Sequence, residues 1–340
     1  MSLGKIGKYE LLRHLGNGAF GDVFLAHDHA LDTQKAIKIL NAPNPNDVIK
    51  KLEEAQILHK CMHKNIVRIN EANVFQINSS SHVVIDMEYL PKGSFENAIK
   101  NNSVSIHYTL KLIIDCLFAL EHAHIHGILH RDVKPANILL SDFGAKLSDF
   151  GLATVLGLQV VGSPRGYITH LPPEYFIHQN TTELTDIYAV GITLFRACNY
   201  ISDWNGEIRR LSNTDSLIRS GRLINSLGFA PFIPQKLKRV INKACAPDYT
   251  KRYQSASEFR QALERLAPQI DWKPINQNLF RGTGVQNGAT FFVELISTRT
   301  SFNVEVKKNG RKQNALCKSF DNFNLANKYL YDYVSSTLFW

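Results

Sequence analysis

The first ninety residues carry short apolar runs broken by turn residues, one of them, Gln34 to Leu40, with clear alternation, the pattern of strands. Tyr9 to Leu15 and Phe24-Leu25-Ala26 read as strands on either side of Gly16-Asn17-Gly18-Ala19-Phe20-Gly21-Asp22-Val23. Gln34 to Leu40 is a third, and Val83 to Leu90 a fourth, ending at a Pro91-Lys92-Gly93 turn. One helix interrupts them. After Pro43 and Pro45, the repeat of Leu52, Ala55, Leu58 and Met62 predicts a buried face on a helix over Asp47 to Met62. From Ser94 the period lengthens. Ser94 to Asn101 and Ser105 to His126 read as helices, the second with Leu110, Ile113, Leu117, Leu120 and Ala123 on one face. The run around Asp186 to Ile192, Gln235 to Ala246 and Ser255 to Leu266 are also helical, whereas 204–234 has no readable period. Pro268 to Pro274 reads as a linker. Strands return at Phe291 to Ile296 and Phe302 to Val306, with a two-residue turn at Asn309-Gly310 and a third strand expected over Gln313 to Lys318. A helix over Asn322 to Leu338, with Phe323, Ala326, Leu330, Tyr333 and Val334 on one face, closes the chain. Strands, then helices, then strands and a helix make an α+β protein.

Composition narrows the class. The 340 residues exceed one small domain, and 44% are apolar, as in globular proteins. The 5 cysteines are scattered, and most lie in apolar helical patterns. That suggests free thiols in a reducing, cytoplasmic setting. No secretory signal is evident, and no stretch approaches the ~20 apolar residues of a membrane span. The net charge of +9 describes a solvated basic surface or an attraction to polyanions. His122 and His126 stand one helical turn apart, a spacing open to a metal ligand pair as well as to packing.

The densest chemistry lies in His130-Arg131-Asp132-Val133-Lys134-Pro135-Ala136-Asn137-Ile138-Leu139-Leu140 and the following Ser148-Asp149-Phe150-Gly151. Asp132 can accept a proton from an attacking hydroxyl. Asn137 and Asp149 offer hard oxygen ligands of the kind Mg²⁺ prefers. Lys134 supplies positive charge for a migrating phosphoryl group. Glycines at 16, 18 and 21 remove side-chain bulk where backbone N–H groups approach phosphates, and the strands flanking them argue against a dinucleotide-binding turn, which leads into a helix.

These segments resemble the catalytic and metal-binding motifs of Hanks-type (eukaryotic-like) serine/threonine protein kinases, in wording closest to bacterial members. The resemblance implies a two-lobed fold using ATP and Mg²⁺, with a β-rich lobe and hinge over 1–90 and a helical lobe over 91–267. A linker over 268–278 and a small β-then-α module over 279–340, in which no family is recognised, would follow. Gly16, Gly18, Gly21, Val23, Ala36, Lys38, Met87, Glu88, Leu90 and Leu139 would surround the nucleotide. Met87 would stand at the back of the pocket, and the Glu88 and Leu90 backbone would meet adenine. Two glutamates compete for the ion pair with Lys38, and alignment favours Glu54 over Glu53. Asp132 and Lys134 would act on the acceptor, with Asn137 and Asp149 holding the metal. Asp186 would brace the catalytic loop, and Arg252 would pair with Glu174 of Pro172-Pro173-Glu174. The lysine two positions after Asp132 resembles serine/threonine-specific members.

The activation segment departs from the family. Three extra residues lie between Tyr167 and Pro172, and its hydroxyls are few, with Thr154, Ser163 and Thr169 as candidate phosphosites for Arg131. That departure keeps a pseudokinase scaffold in view as the alternative, and a small-molecule kinase as a third reading. The partners implied are ATP and a protein substrate. Lys307, Lys308, Arg311 and Lys312 cluster at the last hairpin, as a solvated turn or as a contact for an acidic partner or nucleic acid.

Overall fold

The computed structural model describes residues 3–18, 21–42, 44–77, 80–149 and 168–339, with the side chains at 17, 18, 50, 51, 53, 54, 57, 58 and 60 left outside that description. Its first lobe is a six-stranded antiparallel sheet. The strands are β1 (Gly4–Ile6), β2 (Tyr9–Gly18), β3 (Gly21–Asp28), β4 (Thr33–Asn41), β5 (Ile69–Ile77) and β6 (Ser80–Glu88), ordered β1-β2-β3-β4-β6-β5. Helix α1 (Pro45–Lys60) follows β4. The period-two pattern fills both faces. Leu40, Ala42, Ala55, Ile69, Val83 and Ile85 form one cluster, and Ile6, Tyr9, Leu11, Ala26, Ile37 and Val84 the other. Met62, expected on the buried face of α1, lies beyond its end and is 59% exposed.

The second lobe is helical. Its elements are α2 (Phe95–Lys100), α3 (Ile106–Ile125), the hairpin β7 (Ile138–Ser141) and β8 (Gly144–Leu147), then α4 (Tyr175–His178) and α5 (Glu183–Cys198). The stretch without a readable period is short helices, α6 (Trp204–Arg210), α7 (Thr214–Arg219) and α8 (Leu223–Leu227), followed by α9 (Gln235–Ala244) and α10 (Ala256–Glu264). Ser94 and Ser105 cap α2 and α3 by accepting from Asn97 N and Tyr108 N. Along α5 every residue from Thr185 to Cys198 is buried, which makes it the axis of the lobe.

The tail corrects the expected linker. Residues 268–278 carry β9 (Ile270–Asn276), with Ile270 and Trp272 buried. β10 (Leu279–Gly284), β11 (Thr290–Ser297), β12 (Phe302–Lys308), β13 (Arg311–Lys312) and β14 (Lys318–Phe320) complete a second six-stranded sheet, ordered β13-β12-β11-β10-β9 with β14 also paired to β12. The third strand expected over 313–318 is instead a 3₁₀ turn between β13 and β14. Asn309 and Gly310 both adopt positive φ, 47° and 76°, as a tight hairpin turn requires. Helix α11 (Phe323–Leu338) buries Ala326, Leu330, Val334 and Leu338, whereas Phe323 is 41% exposed. One hydrophobic cluster runs without a break from the helical lobe into this tail, including Ile106, Phe232, Leu266, Trp272, Phe280, Val304 and Leu330. Asp271 accepts from Ser105 Oγ (2.6 Å) and His107 N (3.0 Å), so β9 helps cap α3.

Candidate active site

Strand β4 delivers the first site residues. Alternation along it places Ala36 opposite Met87 and Lys38 opposite Ile85 on β6, with Val23 of β3 across from Lys38. Lys38 is 1% exposed, yet its Nζ lies 2.6 Å from Asp149 Oδ1. The two lobes therefore meet at an ion pair 111 residues apart in sequence. Burial alone would push the Asp149 carboxyl up, but Lys38, with His130 and Lys134, carries it below the usual carboxylate range.

Two kinds of glycine shape the loop above. A Cβ at Gly16 would meet nothing, so packing does not demand glycine there. At Gly21, where φ is +141°, a Cβ would lie 2.2 Å from the Ile39 carbonyl oxygen, so the close approach of β3 to β4 requires glycine. Gly18 pairs with Gly21 at the loop's base, and residues 19–20 lie outside the described residues.

The catalytic loop is held from beneath. Asp186, buried on α5, accepts from His130 N at 2.9 Å and Arg131 N at 2.8 Å, and His124 Nε2 stands 2.9 Å from the same carboxylate. This is the brace expected of Asp186. His130 accepts from Asp132 N at Nδ1 (3.2 Å) and donates from Nε2 to the Ser148 carbonyl (2.8 Å), tying the two motifs together. Arg131 and Asp149 both have left-handed φ, 67° and 59°. Such backbone costs roughly 1–3 kcal/mol and persists where the surroundings impose it.

Above this base the polar groups converge. Asp132 Oδ2 receives Lys134 Nζ at 2.7 Å and Asn137 Nδ2 at 2.9 Å. Asn137 Nδ2 also donates to the Asp132 carbonyl at 2.8 Å. Burial pushes the Asp132 carboxyl up, and Lys134 pulls only part of that back. Burial in turn lowers Lys134, against the pull of Asp132. Asn137 spends its amide NH₂ on Asp132, which leaves Oδ1 as the atom that could take a metal. Asp149 meets Lys38 through Oδ1, and its Oδ2 is the second carboxylate oxygen that could take a metal. An oxygen-only donor set beside a cation suits a hard divalent ion carrying phosphate. Among the described residues no group of three His, Cys, Asp or Glu side chains converges on a metal position. His63 stacks on His122, with centroids 5.0 Å apart, and His126 lies tilted against His122 at 4.6 Å, but the His126 Nδ1 contact is to the His122 carbonyl oxygen.

The Glu54 side chain lies outside the described residues, as do Thr154 and Ser163. Thr169 is 1% exposed, and its Oγ1 accepts from the Trp204 indole at 3.0 Å, so it is packed rather than presented as a phosphosite. Glu174 meets Arg252 through both oxygens, at 2.5 and 2.7 Å, as expected. Met87 packs against the lower sheet cluster, and Leu139 is half-buried on β7, bridged to Ser94. Leu90 is half-buried just past β6.

Two contacts escaped the sequence reading. The Glu88 carboxylate, apart from the backbone role expected of that residue, takes Lys146 Nζ at 2.7 and 2.9 Å and Arg68 N at 2.7 Å. Glu96 of α2 holds Arg196 of α5 through two hydrogen bonds. No local pattern signals either pair, since the ion-pair partners lie 58 and 100 residues apart.

The chain matches the protein kinase domain family over residues 9–264. It is 32% identical over 270 residues to the serine/threonine-protein kinase PrkC of Bacillus subtilis, covering 76% of this chain and 40% of that one. Against the probable serine/threonine-protein kinase PknB of Lactococcus lactis the identity is 31%, covering 76% and 42%. Against the serine/threonine-protein kinase PknJ of Mycobacterium tuberculosis it is 30%, covering 75% and 44%. The chain thus spans less than half the length of these curated relatives. Among the described residues no helix is long and apolar enough to cross a membrane.

Proposed function

The chain belongs to the protein kinase family, and from that premise we propose that it transfers the γ-phosphate of ATP to serine and threonine hydroxyls of proteins, its own chain included. The observation that supports this most is the gathering of Lys38, Asp132, Lys134, Asn137 and Asp149 at one junction between the lobes. Asp132 orients the acceptor hydroxyl and takes its proton as the oxygen bonds to the γ-phosphorus and ADP departs. Lys134, beside Asp132, offsets charge on the moving group. Lys38 and the loop amides hold the phosphates, and Asn137 and Asp149 would hold Mg²⁺. Bound Mg²⁺ supplies neutralisation of phosphate charge, which matters because the transition state is loose and catalysis is mostly positioning and electrostatics. The tail recruits substrate or partners.

Radiolabelled γ-phosphate transfer by the purified full chain tests this. Lys38→Met and Asp149→Ala should each lower turnover by on the order of 10²-fold or more, and Asp132→Asn by ~10²–10⁴-fold. Unchanged autophosphorylation in Asp149→Ala, or phosphotyrosine alone in mass spectra of the products, would overturn the assignment.

A further inference from the structure

Helix α11 covers only one face of the tail sheet, the face that carries Trp272, Phe280, Val293, Leu295, Val304 and Val306. Across the other face one register row crosses five strands. Lys273 stands opposite Arg281, Arg281 opposite Phe292, Phe292 opposite Lys307, and Lys307 opposite Lys312. The row is four cations around one aromatic ring, and each member is exposed or half-exposed. The Arg281 guanidinium sits over the Phe292 ring, 5.9 Å from its centroid.

The pairing runs against stability. Like charges directly opposite on neighbouring strands repel, and Lys273–Arg281 and Lys307–Lys312 are two such pairs. Glu305 relieves the second, lying 2.5 Å from Lys312 Nζ and 3.7 Å from Lys307 Nζ. Among the described residues no carboxylate forms an ion pair with Lys273 or Arg281. A sheet that keeps a cation pair without a carboxylate partner beside a half-exposed ring is matched to an anionic, partly apolar visitor.

We propose that this face docks an acidic, extended segment of the protein substrate, an inference that rests on the tail's recruiting role. Five strands at ~4.8 Å spacing give a row of ~19 Å, the reach of about six extended residues. Carboxylates on alternate residues of that segment meet Lys273 and Arg281 at one end and Lys307 and Lys312 at the other, with an apolar residue on Phe292. A nucleic acid fits less well. Glu294 and Glu305 stand opposite each other two residues along the strands, on the same face, where a continuous phosphate chain would meet them. Stacking along a strand also uses several rings rather than one.

The test uses the full chain and two substrates, a serine peptide alone and the same peptide extended by an Asp/Glu-rich segment. The extension should lower KM on the order of tenfold at low salt. In the double variant Lys273→Glu/Arg281→Glu the advantage should vanish, with kcat on the plain peptide unchanged. Lys273→Arg/Arg281→Lys should keep it. Calorimetric titration of the acidic segment by itself reads the surface without phosphoryl transfer, so binding with no transfer to any peptide would remove the kinase reading and leave the docking face standing. Equal KM for the two peptides in the wild-type chain, equal binding by wild type and the Glu variant, or stronger competition by single-stranded oligonucleotide than by the acidic peptide would each overturn it.

Discussion

At the scale of single residues, Asp132 carries the most specific consequence. Burial raises its carboxyl, and the Lys134 ammonium opposes that rise. As the proposed base, Asp132 must be ionised to accept a proton, so on that proposal activity falls as pH drops through the raised value. Removing Lys134 withdraws a lowering influence. Lys134→Ala should therefore move the acid limb of the kcat/KM profile to higher pH, in addition to its loss in rate. A limb that stays in place or moves down would show that another group sets it. That these side chains converge was legible in the sequence because the motif fixes both identity and spacing: an acid, a lysine two positions on, an amide three further. Glu88 and Arg196 were not, because their partners are chosen by the fold, 58 and 100 residues away.

At the scale of elements, the Glu174–Arg252 pair fastens the start of α4 to the 3₁₀ turn before α10. Arg252 is 1% exposed and also donates to the Ala246, Pro247 and Leu184 carbonyls. Removing one partner of such a pair strands the other, at about 3–5 kcal/mol. Arg252→Met should lower unfolding free energy by that amount in urea titrations; a loss below ~1 kcal/mol would mean that water relieves Glu174. Long amphipathic helices such as α3 and α11 were readable from their period. β9 was not, because Pro274 sits within it. An edge strand tolerates proline, which has no N–H to leave unpaired, and β9 is the edge of its sheet. β10, with Gly282 and Gly284, lacked apolar alternation.

At the scale of the whole molecule, the order of motifs was enough to foresee two lobes. It did not foresee that the tail is built into the second lobe. Alternation tells that a strand buries one face, not what it buries it against. Here Phe232 meets Phe280 at 5.2 Å, and Tyr200 donates to the Trp272 carbonyl at 3.2 Å. Each large side chain uncovered by removing the tail costs ~1.5–3 kcal/mol. A chain ending at residue 267 should melt on the order of 10 °C lower than the full chain, and scanning calorimetry of the full chain should show helical lobe and tail unfolding together. Two separate transitions, with an unchanged lobe, would contradict a shared core. The tryptophans of this shared core also serve as reporters. Trp204, bonded to Thr169, sits beside the turn before Pro172-Pro173-Glu174, and Trp272, bonded to Thr337, sits inside the tail. With Trp272 and the last residue, Trp340, both replaced by phenylalanine, Trp204 is the one tryptophan left and the chain's own ultraviolet emission follows the Thr169 neighbourhood, so that events at the two places become separable by light without attaching a dye.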